Sequence, residues 1–146
     1  MTRDALIVRP ADRPQPLSVL GTSVTVLADS ARTGGFGITA QHGAAGTGPT
    51  AHCHPWDEAF YVLEGSVEFT VGEETTLLEA GGLVVIPGDT VHAFHYGPGG
   101  GRMIEVTGAG SNAAGMFSDL AREMTGAPDL ALGAAIMARH GATLLI

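Results

Sequence analysis

Apolar and polar residues alternate over most of the first 110 positions, in short runs broken by glycine, proline and acidic residues. Val19 to Leu27 is apolar and β-branched, and Phe36 to His42 is a second such run, with Gly34 and Gly35 between them. Ala44 to Pro49 is a glycine-rich turn. Further strands are expected at Ala51–His54, Glu58–Leu63, Ser66–Val71, Thr75–Leu78, Leu83–Ile86, Val91–Tyr96 and Arg102–Thr107. Turns at Gly72-Glu73, Glu79–Gly82 and Pro87–Asp89, and a loop at Gly97–Gly101, separate them. Strands this short and this regularly punctuated predict an all-β sandwich or barrel, not a βαβ sheet.

The period changes after residue 110. Met116, Phe117, Leu120, Ala121 and Met124 recur at helical spacing, with Ser111 or Asn112 to cap a helix from Ala113. Gly126 and Pro128 break that pattern. Asp129 is placed to cap a second helix through His140, with Gly141 as its stop. The expected organisation is an extended arm (1–18) rich in proline and arginine, a barrel (19–110) and a helical segment (111–146) that covers one face or edge of it.

Composition narrows the picture. The chain has 146 residues, enough for one core, and 45% of them are hydrophobic. The net charge of −8 opposes a phosphate backbone, so no nucleic-acid partner is expected. All seven basic residues are arginine, which removes Schiff-base and lysine-nucleophile chemistry. With one cysteine, Cys53, no intrachain disulfide can form. The N-terminal residues lack an apolar leader run, and no stretch reaches membrane-span length. A soluble cytoplasmic protein with no membrane partner is expected.

The stretch Thr50–Gly65, TAHCHPWDEAFYVLEG, carries the candidate chemistry. Strand residues of equal parity share a face, so His52 and His54 point one way and Cys53 the other. A parity-keeping bend at Pro55-Trp56-Asp57 brings Glu58 to the histidine face. Two imidazoles and a carboxylate form half a cage for a divalent metal, although H-x-H by itself also occurs in ordinary edge strands and turns. His92, opening a strand after Pro87–Thr90, is the best fourth ligand. His95 has the opposite parity, and His140 reads as a helix C-terminal residue. Cys53 reads as a small filler and Trp56 as a lid or packing residue.

These residues resemble the two motifs of the cupin superfamily. Gly46, His52, His54, Glu58 and Gly65 fill the first, G-x5-H-x-H-x3-E-x6-G. Gly81, Pro87 and His92 match the second, G-x5-P-x-G-x2-H-x3-N, with Asp89 in place of the glycine and Tyr96 in place of the asparagine. The tail, ending in Ala138-Arg139-His140-Gly141, resembles small single-domain cupins labelled quercetin-dioxygenase-like. The resemblance implies a double-stranded β-helix, or jelly-roll, cupin barrel with two short C-terminal helices. It implies that His52, His54, Glu58 and His92 meet inside the barrel, and that the chain forms a homodimer.

Three imidazoles and a carboxylate suit one divalent metal ion, Fe, Mn, Ni, Co or Zn. By parity with the ligands, Phe60, Val62, Phe94 and Tyr96 are expected to line the substrate pocket, and Arg102 is a candidate partner for a substrate carboxylate. Glu58 is first a ligand and also the candidate proton acceptor. The expected function is a metal-dependent dioxygenase-type oxidoreductase acting on a small chelating substrate with an enol, catechol or diketone-like group. The alternatives are a non-catalytic small-molecule-binding or sensing cupin and a metal-dependent isomerase.

Overall fold

The computed structural model describes residues 3–145. An exposed arm with one 3-10 turn at Pro10–Asp12 leads into β1 (Leu17–Val19) and β2 (Thr22–Ala28). Leu20 and Gly21, both at positive φ, make the hairpin turn, so the run expected as one strand from Val19 is two. The short helix α1 (Ser30–Thr33), capped by Asp29, precedes β3 (Gly37–Gly43). Then come β4 (His52–Cys53), β5 (Glu58–Val71), β6 (Glu74–Glu79), β7 (Leu83–Ile86) and β8 (His92–Thr107). Helices α2 (Ala113–Glu123) and α3 (Leu130–Arg139) and the two-residue β9 (Thr143–Leu144) complete the chain. Every pairing among these strands is antiparallel.

Two long strands close the barrel. β8 pairs with β5 along most of its length, while its other edge carries β3 at one end and β4 at the other. Each long strand replaces two strands and a break expected from the sequence. Gly97–Gly101 is not a loop: it stays in β8, and the register shifts where Glu64-Gly65 and Ser66 face it. Gly65 sits at φ +67°, and a Cβ there would come within 2.2 Å of Gly100 O. Only glycine lets the two backbones approach this closely.

The irregularity reverses the inward parity of both strands. Phe60 and Val62 face in before it and Val67 and Phe69 after it; on β8, Phe94 and Tyr96 face in before and Met103 and Glu105 after. The interior holds two apolar clusters. One, around Phe60, Val62, Val67, Phe69, Phe94, Tyr96 and Met103, fills one end of the barrel. The other joins Val19, Val24 and Trp56 to Met116, Phe117, Leu120, Ile136 and Met137 of the two helices. The helical segment therefore caps the other end. Asp129 caps α3 through its side chain, which accepts from Leu132 N at 3.0 Å.

Candidate metal centre

β4 holds His52, the bend after it holds His54, β5 opens with Glu58, and β8 opens with His92. Backbone contacts clamp these segments together. His52 pairs with His92 across β4 and β8. The turn at Pro87–Asp89 donates back to the first motif, Asp89 N to His54 O at 2.7 Å and Gly88 N to Asp57 Oδ1 at 2.7 Å. Asp89, standing where the motif has glycine, adopts φ 63°. Aspartate tolerates the left-handed region better than most residues, so the turn survives the replacement. β9 covers the other edge of β4, pairing Leu144 with His52 and Thr143 with Cys53.

All four side chains are buried, and one ligand atom from each lies within 4.8 Å of every other. Among the described residues this is the one His/Cys/Asp/Glu group with that geometry. Each histidine Nδ1 is held by a backbone carbonyl two residues away: His52 by Thr50 O at 2.7 Å, His54 by Trp56 O at 2.9 Å, His92 by Thr90 O at 2.7 Å. The carbonyls fix a proton on each Nδ1 and so aim each Nε2 at the centre. Glu58 Oε1 lies 3.2 Å from His54 Nε2 and 2.5 Å from His92 Nε2. His92 Nε2 nevertheless makes no hydrogen bond of acceptable geometry. Four converging lone-pair donors with an orphaned buried nitrogen fit a divalent cation better than they fit each other.

The electrostatics agree. Burial, then His92, lowers the His52 imidazole to about 4, so it is neutral and ready to ligate. Burial works to raise Glu58, but His54 and His92 hold its carboxyl below the usual range. Burial opposes the charge on His92, yet Glu58 raises it above the ordinary histidine value.

A cavity of about 40 Å³ adjoins this group. Phe60 and Phe94 line it. Val62 and Tyr96 do not; they face inward but lie in the apolar cluster behind the site. Arg102 is a correction too: it is exposed on the outside, 3.5 Å from Glu64. Its assignment to the pocket carried the parity of His92 past the glycine irregularity, where it reverses. Cys53 is half-buried on the face opposite its neighbours. His140 accepts the α3 cap role and adds a 2.7 Å contact to Asp119.

Several lining residues were not assigned to the pocket from the sequence. Thr22, Gln41 and Glu105 bring buried polar groups to the cavity, and Met116, Phe117, Leu120 and Met137 roof it from the helices. Trp56 stacks on His54 with ring centroids 4.2 Å apart and planes 7° from parallel. A charged residue between two inward positions, as in Met103-Ile104-Glu105-Val106-Thr107, was the available signal for Glu105.

Comparison with known proteins agrees with this geometry. Residues 40–106 match the family model described as a cupin domain. An uncharacterized protein of Streptomyces coelicolor is 38% identical over 52 residues, covering 36% of this chain and 50% of that protein. The match thus spans half the length of that relative. Among solved structures, KdgF from Halomonas sp. superposes with a TM-score of 0.68 at 18% identity, over 76% of this chain and 99% of that one. The polyketide cyclase RemF from Streptomyces resistomycificus gives 0.60 at 24% identity, over 72% and 80%. At these identities the structural likeness establishes the fold. With the ligand positions of both motifs present, the barrel closed around them and the family model matched, residues 40–106 of this chain form a small cupin domain.

Proposed function

We propose that this chain is a mononuclear metal cupin that binds a small chelating oxygen compound and oxidises it in a dioxygenase-type reaction. The observation that carries this reading is the set of three Nδ1-locked imidazoles and one carboxylate converging on a point inside a nearly closed barrel. His52, His54, Glu58 and His92 would hold the ion. A divalent ion there supplies Lewis acidity to a bound enol or carbonyl oxygen, and a redox-active one supplies electron transfer.

The protein's own contributions follow from position. Four protein ligands leave room for two oxygen donors of an enol, catechol or diketone-like group. Glu58, at the edge of the cavity, is the residue to receive a substrate proton. Trp56 and the roof of Met116, Phe117, Leu120 and Met137 keep water away. A cavity of about 40 Å³ favours the compact end of this substrate class.

The test begins with metal content, by mass spectrometry on protein purified anaerobically. One Fe, Mn, Ni or Co per chain, with oxygen uptake on enediols or β-diketones, is expected. One Zn per chain with no oxygen uptake would favour redox-neutral isomerisation, a reading supported by the second buried carboxyl, Glu105, in the same cavity. No metal after reconstitution would leave a non-catalytic binding role and refute the enzyme.

A further inference from the structure

The inner wall beside Glu58 is polar where a barrel core would ordinarily be apolar. Thr39 and Gln41 of β3 and Glu105 of β8 are each about 4% exposed. They are wired in one direction: Gln41 Nε2 donates to Thr39 Oγ1 at 3.0 Å, and Thr39 Oγ1 donates to Glu105 Oε1 at 3.1 Å. Thr39 is paired with Glu105 across β3 and β8, so the backbone sets the wiring. Gln41 and Glu105 both line the metal cavity, and so does Trp56, whose buried Nε1–H has no partner. Glu105 also lies within hydrogen-bond reach of Glu58, so the polar wall continues from the four-residue centre along the cavity edge, where a bound compound would meet it.

The lining also excludes ligands. It contains two carboxyl groups, Glu58 and Glu105, and no arginine. A phosphorylated compound or a second free carboxylate would find no counter-charge there. A cavity of about 40 Å³ favours a compact compound.

We propose that Glu105 and Gln41, with the Trp56 indole N–H, form a substrate-recognition wall that selects a compact, uncharged chelator carrying a hydroxyl beyond its two metal-binding oxygens. The hydroxyl donates to Glu105, whose Oε1 is fixed by Thr39, and Trp56 offers a donor to an oxygen in return. The assignment rests on the metal-centre reading, since the chelating end must be held by His52, His54, Glu58 and His92.

An isosteric pair tests it. Glycolohydroxamic and propionohydroxamic acids chelate alike and differ by a hydroxyl in place of a methyl. Their affinities are read from the visible spectrum of the Co(II)-loaded protein, independent of turnover. The expected result is about tenfold tighter binding of the hydroxylated compound, the scale on which a polar site rejects an analogue lacking its partner. Glu105→Met should abolish that preference, and Gln41→Met, which does not touch the four-residue centre, should weaken it while Co(II) stoichiometry stays near wild type. Full Co(II) loading with equal wild-type affinities overturns the wall alone, and needs no folded variant. Failure to load Co(II) overturns the metal centre and the wall together.

Discussion

At the scale of single residues, the decisive contacts are the three carbonyls that pin the imidazoles. They convert histidines, which elsewhere switch tautomer freely, into fixed lone-pair donors. His52→Ala or His92→Ala should lose the bound metal while far-UV circular dichroism stays that of the barrel; a variant with undiminished metal content would remove that residue from the ligand set. Cys53→Ser should keep full stoichiometry, because Cys53 faces away from the centre. Acid should weaken binding. His92 is raised by Glu58, so near neutral pH the metal must displace a proton from it, whereas His52, lowered to about 4, is already neutral. Affinity is therefore expected to rise about tenfold per pH unit up to the His92 pKa and level off above it, with about one proton released. Calorimetric titration in buffers of different ionisation enthalpy counts that proton, and a release of zero would contradict the assignment.

Elements matter here mainly through their edges. β4 is two residues long, yet it carries His52 and borders His54, and it gains rigidity from β8 on one side and β9 on the other. Leu145 N adds a 2.9 Å bond to Ala51 O. Truncation after Gly141 should consequently weaken metal affinity by about tenfold or more, the cost typical of losing support for a metal ligand; unchanged affinity would show that β9 is dispensable to the centre. The Pro87–Asp89 turn is the other support. Asp89→Val places a β-branched residue at φ 63° and should cost about 1–2 kcal/mol in urea unfolding, whereas Asp89→Gly should be near neutral.

For the whole molecule, the outer face of β3, β8, β5 and β7 stands out. Ile38, Val106, Ala59 and Val85 lie side by side across the strands, as do Ile104, Tyr61 and Leu83, with Leu63 alongside. Val85 is 63% exposed, Leu83 58% and Tyr61 46%, and together they make a contiguous exposed apolar patch. On a chain of net charge −8, this uncharged sheet is where two copies can meet without repulsion. We propose that it forms a twofold homodimer. Sedimentation should give twice the chain mass of 14.9 kDa, and Leu83→Glu with Val85→Glu should give the monomer with its metal retained. A monomeric wild type at micromolar concentration would refute the interface. Among the described residues no helix is long and apolar enough to cross a membrane.

The all-β character, the two C-terminal helices and the four side chains that converge were legible in the sequence by itself, because these depend on strand parity, capping residues and motif spacing. Glu58 was placeable because the Pro55–Asp57 bend preserves parity over a few residues. Long-range matters were not legible. The parity reversal in β5 and β8, which sends Arg102 outside and Glu105 inside, arises from a register shift where Gly65 meets Gly100 and Gly101, and neither strand shows it alone. The β9 edge, the helical roof and the Gln41–Thr39–Glu105 wall likewise join residues distant in sequence. Only the closed barrel decides which of them share a cavity, since closure sets the register that brings β3, β8 and the helices onto one interior.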